Sequence, residues 1–410
     1  MNTTGWITIV VVVAIVFGLI GYFAAPKGET KVITKPPTLK AAFIYVGDIG
    51  DYGWTHAHNV GRLWVEQHFS WLNTTYVENV GAEDARQVIE NLISQGYTVI
   101  FGTSFDHMIP MKEAAENHTD IIFFHCSGYI RRPNMGTYMA DFYQLYYLNG
   151  LMAGALTKTN KIGYVAAHTI PEVVRHIDAF ALGIKEVNPD AKVYVRVIHA
   201  WYDPEKAQSA ANALLAEGAD VLAFTEDSPT VLQTLESKMK ETGTQYYGFS
   251  HYSPMQDIAP NVTVSGQLVH WEVIYADILS KVYAGLYTNT NLQDVDYWGL
   301  LDSGAVELGG KPGVPINPKF VNDLKSVTVT DKLTGEELSV YDLVMRRLDQ
   351  MKDKQMVFDP FEAYNEPIMG WPKDGSPEDL QEMIPVGHRL TYHERLVIDW
   401  WVDNVVSVGE

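Results

Sequence analysis

From Lys40 onward, short apolar runs alternate with stretches whose apolar residues recur at helical spacing. The stretch AEDARQVIENLISQG, residues 82–96, places Ala85, Ile89 and Leu92 on one helix face and ends in a glycine. The stretch PEKAQSAANALLAEGAD, residues 204–220, repeats this design. The alternation predicts seven strands: AAFIYV (41–46), TVIFGT (98–103), IIFFHC (121–126), KIGYVAA (161–167), KVYVRVI (192–198), DVLAFT (220–225) and QYYGFS (245–250).

Alternating strands and helices predict an α/β fold with parallel sheets covered by helices on both faces. The chain divides into two comparable blocks, an N-lobe of residues 40–158 and a C-lobe of residues 159–270. Each block is predicted to be a doubly wound lobe. Residues 271–310 are predicted to return to the N-lobe and complete a hinge. The looser pattern of residues 311–410 predicts a C-terminal extension that packs on the lobes.

The chain begins with a second kind of pattern, an uncharged apolar run from Trp6 to Ala25. Twenty residues in a helix span about 30 Å, which is the thickness of the hydrocarbon core of a bilayer. Residues 1–25 are therefore predicted to form a transmembrane anchor, followed by a linker of residues 26–39. A cleaved signal peptide is the alternative, although a basic n-region is missing. The lysines that follow the run favour the cytoplasmic side by the positive-inside count: Lys27, Lys31, Lys35 and Lys40.

Composition excludes several classes of protein. The chain has 30 basic and 50 acidic residues and a formal net charge of −20, which argues against binding to nucleic acid. Cys126 is the one cysteine, so a disulfide within the chain and a cysteine-based zinc site are excluded. Its position in an apolar run predicts a buried free thiol.

In parallel α/β sheets, ligands bind beyond the carboxyl ends of the strands, so the loops after the predicted strands are the candidate site. The first of them, GDIGDYGWTHAHNVGR (47–62), fits neither a P-loop nor GxGxxG. His56 and His58 are two residues apart and do not share a helix face. Metal-binding and nucleophile motifs are missing from the sequence. The sequence therefore favours a binding protein without cofactor or metal over an enzyme.

Two loop tryptophans, Trp54 and Trp201, follow strand ends in different lobes. Facing indole rings can enclose a flat heterocycle and leave its edges free for hydrogen bonds. Alternatively, each indole packs against a neighbouring helix. Phe105 and Tyr129 are weaker candidates of the same kind.

Acidic loop residues are candidates for hydrogen bonds to the edge of such a heterocycle. Asp51 and Asp227 can accept hydrogen bonds from ring N–H or amino groups. Asp227 has a competing interpretation as a helix N-cap, since a helical pattern follows EDSP. Asp203 is predicted to be such a cap, with Pro204 at the first helical position.

Taken together, these loops and their flanking segments resemble the basic membrane protein (BMP) family of ABC-transporter substrate-binding lipoproteins, relatives of the purine nucleoside receptor A proteins. The resemblance covers residues 41–301 and rests on an ordered set of segments. They are GDYGWTHAHNVGR, VIENLISQGYTVIFGTSF, YYLNGLMAGALTKTNKIGYVA, IPEVVRHIDAFALGIKEVNP and WYDPEKAQSAANALLAEGADVL. The resemblance implies a periplasmic-binding-protein type I fold, with two lobes that close on a ligand.

The resemblance also implies roles for single residues. The first-loop pattern of nucleoside binders maps its polar contacts onto Asp51 and Thr55, and its stacking ring onto Trp54. The second stacking ring maps onto Trp201. Ribose-directed acidic residues and a lysine are replaced here by SHYSP and GQLVHWEV, which favours a free base such as adenine over a nucleoside. Trp271 lies near the position of that lysine and is expected to close the pocket.

The expected function is that of a membrane-anchored, extracytoplasmic binding protein that presents a purine base or nucleoside to ABC permease subunits. Members of this family are usually attached to the membrane through a lipidated cysteine. In this chain the apolar run would replace that attachment, which favours a binding domain on the outer side of the membrane. A ligand-sensing ectodomain that signals through a partner is an alternative. A nucleoside hydrolase is a further one, although the sequence shows no carboxylate cluster to bind its metal.

Overall fold

The computed structural model describes residues 38–409. The first part of this region alternates strands and helices, as the apolar pattern predicts. Its elements are β1 (Leu39–Ile44), α1 (Trp54–His68), β2 (Leu72–Val77), α2 (Ala82–Ser94), β3 (Val99–Gly102), α3 (Met108–Asn117), β4 (Ile122–Cys126) and β5 (Met135–Ala140). Gly96, just after α2, has a φ of +84°. Its left-handed conformation ends the helix as the sequence predicts.

A second alternating series follows. Its elements are α4 (Tyr143–Leu156), β6 (Lys161–Ala166), α5 (Pro171–Val187), β7 (Lys192–Val197), α6 (Pro204–Ala216), β8 (Val221–Thr225), α7 (Thr230–Thr242), β9 (Tyr247–Ser250) and β10 (Thr263–Val269). The Asp203 side chain accepts a hydrogen bond from the backbone N–H of Lys206, so the predicted N-cap of α6 is confirmed.

The chain then crosses between the two sheets through α8 (Trp271–Tyr283), β11 (Asp296–Gly299) and β12 (Val306–Leu308). β11 pairs in parallel with β5, whereas β12 pairs antiparallel with β10. The first sheet has the order β11-β5-β4-β3-β1-β2. Together with the crossover through α4, these segments connect the lobes three times, which is the arrangement of a hinge.

Residues beyond β12 form a C-terminal extension with its own short elements. They are α9 (Val321–Ser326), β13 (Thr328–Thr330), β14 (Glu337–Ser339), α10 (Val340–Lys352), β15 (Ile368–Pro372), β16 (Gln381–Ile384), α11 (Tyr392–Leu396), β17 (Trp400–Val402) and β18 (Val405–Gly409). β18 pairs in parallel with β7 and completes the second sheet, whose order is β12-β10-β9-β8-β6-β7-β18. The Tyr392 hydroxyl donates to Asp296 on β11, so the extension contacts both lobes.

All seven predicted strands are present, and the α/β fold with parallel sheets is confirmed. The sequence analysis missed β2 because LNTTYV is largely polar, and it is polar because β2 is an edge strand. The predicted membrane anchor, residues 1–25, lies outside the described residues. Between residues 38 and 409, no helix is both long enough and apolar enough to cross a membrane.

Candidate functional site

A small cavity lies between the lobes, where the loops after the strands of both sheets meet. It encloses about 290 Å³ of empty space. The N-lobe contributes Val46, Trp54, Ser104, Phe105 and Ser127 to its wall. The C-lobe contributes Glu172, Trp201, Asp227 and Tyr252. The structure therefore brings both predicted tryptophans to one cavity from opposite sides of the cleft.

Trp54 is the first residue of α1, and neighbouring groups hold its indole on several sides. The indole N–H donates to the backbone carbonyl of Thr103 at 2.5 Å. The ring packs edge-on against His58, Tyr252 and Trp271, with centroid separations of 4.6, 4.9 and 5.3 Å. Only 6% of the residue is exposed. These contacts fix the orientation of the indole in the closed cleft, and among them Tyr252 belongs to the C-lobe.

Trp201 lies in the loop between β7 and α6 and has fewer ring contacts. Its ring packs edge-on against His168 at 4.8 Å, and the residue is partly exposed. Its backbone carbonyl accepts a hydrogen bond of 2.7 Å from the N–H of Asp227. The backbone of this loop is therefore fixed to the next loop of the same lobe, while the indole retains an open side.

Asp227 places a carboxyl group in the cavity wall. It does not cap α7, because that helix begins at Thr230 and the Ser228 hydroxyl accepts from the N–H of Thr230. Its Oδ1 is buried and has no hydrogen-bond partner among residues 38–409. Burial raises the pKa of this carboxyl well above its usual range, and the nearby acidic groups of Asp51 and Glu226 raise it further. The Oδ1 atom of Asp227 is therefore a buried acceptor at the cavity that lacks a partner within residues 38–409.

Asp51 was expected to contact the edge of a ligand ring, but the structure gives it a different role. Its carboxylate accepts hydrogen bonds from the backbone N–H groups of Gly53, Thr55 and His56 at 2.8 to 3.0 Å. These contacts close the loop before α1, and Asp51 is not part of the cavity wall. Thr55 is fully buried and is also absent from the wall. Both residues build the loop that carries Trp54.

The other three predicted residues lie in different surroundings. Phe105 is part of the cavity wall, next to Ser104. Tyr129 is 63% exposed and lines a neighbouring pocket at the outer mouth together with Phe105 and Glu172. Trp271 is fully buried and stacks on His58 at 4.1 Å. Trp271 therefore lies behind Trp54 and does not close the pocket, because the start of α8 packs against α1.

The sequence analysis missed Glu172, Tyr252, Ser104 and Ser127 as cavity residues. Glu172 lies in the first turn of α5 and accepts a hydrogen bond from the Ser127 hydroxyl across the cleft. A glutamate is common in the first turn of a helix because it interacts favourably with the helix dipole. The residue type therefore did not indicate a role in the cavity. Tyr252 follows β9 in the SHYSP segment and lines the cavity.

The two lobes touch around the cavity. A Cβ atom on Gly53 would lie 2.6 Å from the Cα of Asp227, so only glycine allows this approach. The Ser253 hydroxyl donates to the carbonyl of Gly53 at 3.3 Å. The described structure is therefore a closed arrangement of the cleft.

The two histidines of α1 do not converge. The His56 ring bonds the carbonyl of Ile49, whereas the His58 ring bonds the Tyr275 hydroxyl. Within residues 38–409, no group of three His, Cys, Asp or Glu side chains is placed to bind a metal ion. The chemistry of the cavity is therefore that of ring faces, hydroxyl groups and carboxyl groups.

Comparison with protein families places the chain among known binding proteins. The family model described as "ABC transporter substrate-binding protein PnrA-like" matches residues 38–340. A purine-binding protein of Brucella abortus is 33% identical over 68% of this chain and 78% of its own length. A Haloferax volcanii protein, named as an ABC transporter glucose-binding protein, is 38% identical over 65% of this chain and 66% of its own length.

Solved structures of low sequence identity share the fold. An ABC transporter solute-binding protein of Aeropyrum pernix superposes with a TM-score of 0.62 at 15% identity. The match covers 77% of this chain and 91% of that one. The likeness supports the two-lobed periplasmic-binding architecture, and at this identity it shows the fold alone.

Proposed function

Because the chain belongs to the PnrA-like family of ABC transporter substrate-binding proteins, we propose that its cleft binds a purine base for an ABC importer. The members of this family are binding proteins and not enzymes. The proposal concerns the identity of the ligand, the anchoring of the chain and the permease as its partner.

The observation that carries the proposal is the pair of indoles, Trp54 and Trp201, that two different lobes bring to one cavity. A flat aromatic ring between them would bury both of its faces. The cavity is small in this closed arrangement of the cleft, and a free base, which lacks the ribose, suits it better than a nucleoside.

Asp227 supplies a polar group for the edge of the ring. Its free oxygen, Oδ1, can accept a hydrogen bond from a ring N–H or an amino group of a purine base. The buried Oδ1, which lacks a partner within residues 38–409, would then be satisfied.

A hexose is a second candidate, supported by the name of the Haloferax relative. An indole face also packs against the C–H face of a pyranose ring, and carboxyl groups such as Glu172 and Asp227 accept hydrogen bonds from sugar hydroxyls. The Brucella relative, a purine-binding protein, and the two-sided placement of the indoles favour the purine base.

Ligand binding would drive closure of the lobes. The cavity wall comes from both lobes, so a ligand makes its full set of contacts only when the cleft is shut. Differential affinity for the closed form shifts the population toward it. We further propose that residues 1–25 anchor the chain in a membrane, with the binding lobes outside and close to the permease.

The test is isothermal titration calorimetry of the full chain with adenine, hypoxanthine, guanine, adenosine and glucose. We expect binding of at least one free base and weaker binding of adenosine. Replacing both Trp54 and Trp201 with alanine should abolish that binding. Trp64→Ala is the matched control, because Trp64 lies on the far side of the N-lobe and does not line the cavity. Binding of glucose alone would support the second candidate and overturn the first.

A further inference from the structure

A row of stacked aromatic rings lies at the end of the N-lobe opposite the cleft. Phe69 stacks on Trp71 at 4.7 Å, and Trp71 stacks on Tyr283 at 4.1 Å. Trp64 continues the row, with its ring edge-on to Phe69 at 6.4 Å. Leu286 follows directly after α8 and is 64% exposed. We call these five residues the basal surface.

Two segments that carry the basal surface contain no charged residue. They are residues 67–77, QHFSWLNTTYV, and residues 282–293, VYAGLYTNTNLQ. Charged residues make up 20% of the chain, so about five would be expected in segments of this combined length. Trp64 itself is 38% exposed. In a protein with a net charge of −20, the two segments that carry four of these five residues are therefore free of Asp, Glu, Lys and Arg.

The basal surface also marks the place where the described chain starts. The backbone N–H of Leu39 donates to the carbonyl of Trp71 at 2.8 Å. β1 runs from this point to the cleft loop that carries Trp54. The start of the described chain and the basal surface thus share one end of the sheet, and the ligand cavity lies at the other.

We propose that the basal surface docks on the headgroup region of a lipid bilayer, an inference that rests on the membrane anchoring proposed above. Trp and Tyr side chains favour the membrane interface because their rings are apolar and their N–H and O–H groups stay hydrated. An uncharged face lets an acidic protein approach anionic headgroups without repulsion.

The length of the linker fits this docking. The apolar run of the sequence ends at Ala25, so 12 residues (26–37) separate it from Thr38. A fully extended chain spans at most about 3.5 Å per residue, or about 40 Å here. This reach would limit how far Thr38 lies from an anchor in residues 1–25, and its neighbour Leu39 lies at the same end of the first sheet as the basal surface.

Docking would orient the cleft. With the basal surface on the membrane, the mouth of the cleft points away from the bilayer and toward free ligand. Delivery to a permease would then require release of the basal surface and reorientation of the lobes on the linker.

A site-specific label on the full chain tests the docking. Cys126 is fully buried, so an environment-sensitive thiol dye reacts with a single introduced cysteine. Ser70→Cys places the dye beside the basal surface, and Gln208→Cys places it on an exposed position of α6 in the other lobe. The labelled chains are reconstituted into vesicles of phosphatidylcholine and phosphatidylglycerol that contain spin-labelled lipid. We expect quenching of the dye at position 70 and none at position 208.

A surface substitution distinguishes docking from mere anchoring. Leu286→Glu should abolish the quenching at position 70, whereas Leu380→Glu is the matched control at another exposed leucine. Both variants should retain the ligand affinity of the unchanged chain in calorimetry. Vesicle-bound chains without quenching at position 70 would overturn the docking and leave the anchor intact. Failure of the chain to sediment with vesicles would overturn the anchor, and the docking with it.

A second copy of the chain is the competing occupant of the basal surface. Quenching by spin-labelled lipid does not detect self-association of the chain. Sedimentation of the detergent-solubilised chain, which reports the oligomeric state, is therefore the second measurement. Self-association that Leu286→Glu removes and Leu380→Glu retains would overturn the lipid surface as the partner. A monomer, together with quenching in vesicles, would support it.

Discussion

Trp54 and Trp201 wall the same cavity, yet the two lobes hold them in different ways. Trp54 is enclosed by three rings and fixed by a hydrogen bond to Thr103. Trp201 has one neighbouring ring, His168, and an indole that remains partly exposed. Of the contacts of Trp54, those with His58, Trp271 and Thr103 do not involve the C-lobe, so its ring face is largely preformed. The indole of Trp201 in the C-lobe can adjust.

This difference suggests an order of events in binding. A preformed face can receive the ligand without the cost of ordering a side chain. The second face then completes the stack as the lobes close, and its contacts stabilise the closed population. The packing around Trp54 also links the site to the core, so the two tryptophans should respond differently to truncation.

The largest effect is expected for Trp54→Ala. Removal of a buried tryptophan costs about 3–5 kcal/mol of folding stability in typical cores, and here it also leaves the Thr103 carbonyl without its donor. Ligand binding should be lost as well. Urea unfolding and calorimetry measure the two effects. Trp54→Phe should recover much of the stability, and an alanine variant as stable as the unchanged chain would contradict the packing argument.

A smaller and more selective effect is expected for Trp201→Ala. Stacking of a base on an aromatic side chain contributes about 1–3 kcal/mol, so the affinity for a purine base should fall by that amount. The free energy of unfolding should change little, because the indole has few contacts. Calorimetry and urea unfolding of the same preparation separate the two. A stability loss as large as that of Trp54→Ala would show that the lobes do not differ in this way.

The fold could be predicted because its determinants are local and periodic. Apolar runs such as IIFFHC and helix ends such as Gly96 carry their structure in a few neighbouring residues. The same logic predicted that both tryptophans follow strand ends. It could not predict that Trp271 lies behind Trp54, since that placement depends on how closely α8 packs on α1.

The side-chain roles of the acidic residues were less predictable. Asp51 and Asp227 both occur in strand-end loops and were both expected to contact a ligand, with a helix cap as the alternative for Asp227. Three backbone N–H groups within five residues converge on Asp51, while Asp227 keeps a buried oxygen without a partner among residues 38–409. The surroundings of Asp227 depend on the close approach of Gly53 from the other lobe, which no local pattern encodes.

The smallest predicted effect concerns the pH dependence of the ligand-free protein. Burial and nearby acidic groups raise the pKa of Asp227 above the ordinary value of 3.8. A raised pKa in the folded state means that the folded chain holds the proton more tightly than the unfolded chain. The resulting stabilisation is complete below the ordinary pKa and is lost as pH rises through the folded-state pKa.

Asp227→Asn should therefore reduce the fall in unfolding free energy between acidic and neutral pH. Only part of the slope should disappear, because burial also raises the pKa of Glu226 and Asp178. Asp190→Asn is the matched control, since it removes a carboxylate from an exposed position of the same lobe. Urea unfolding at a series of pH values gives both slopes. An unchanged slope in Asp227→Asn would show that the folded-state pKa of this carboxyl is not raised, and would contradict the argument from burial.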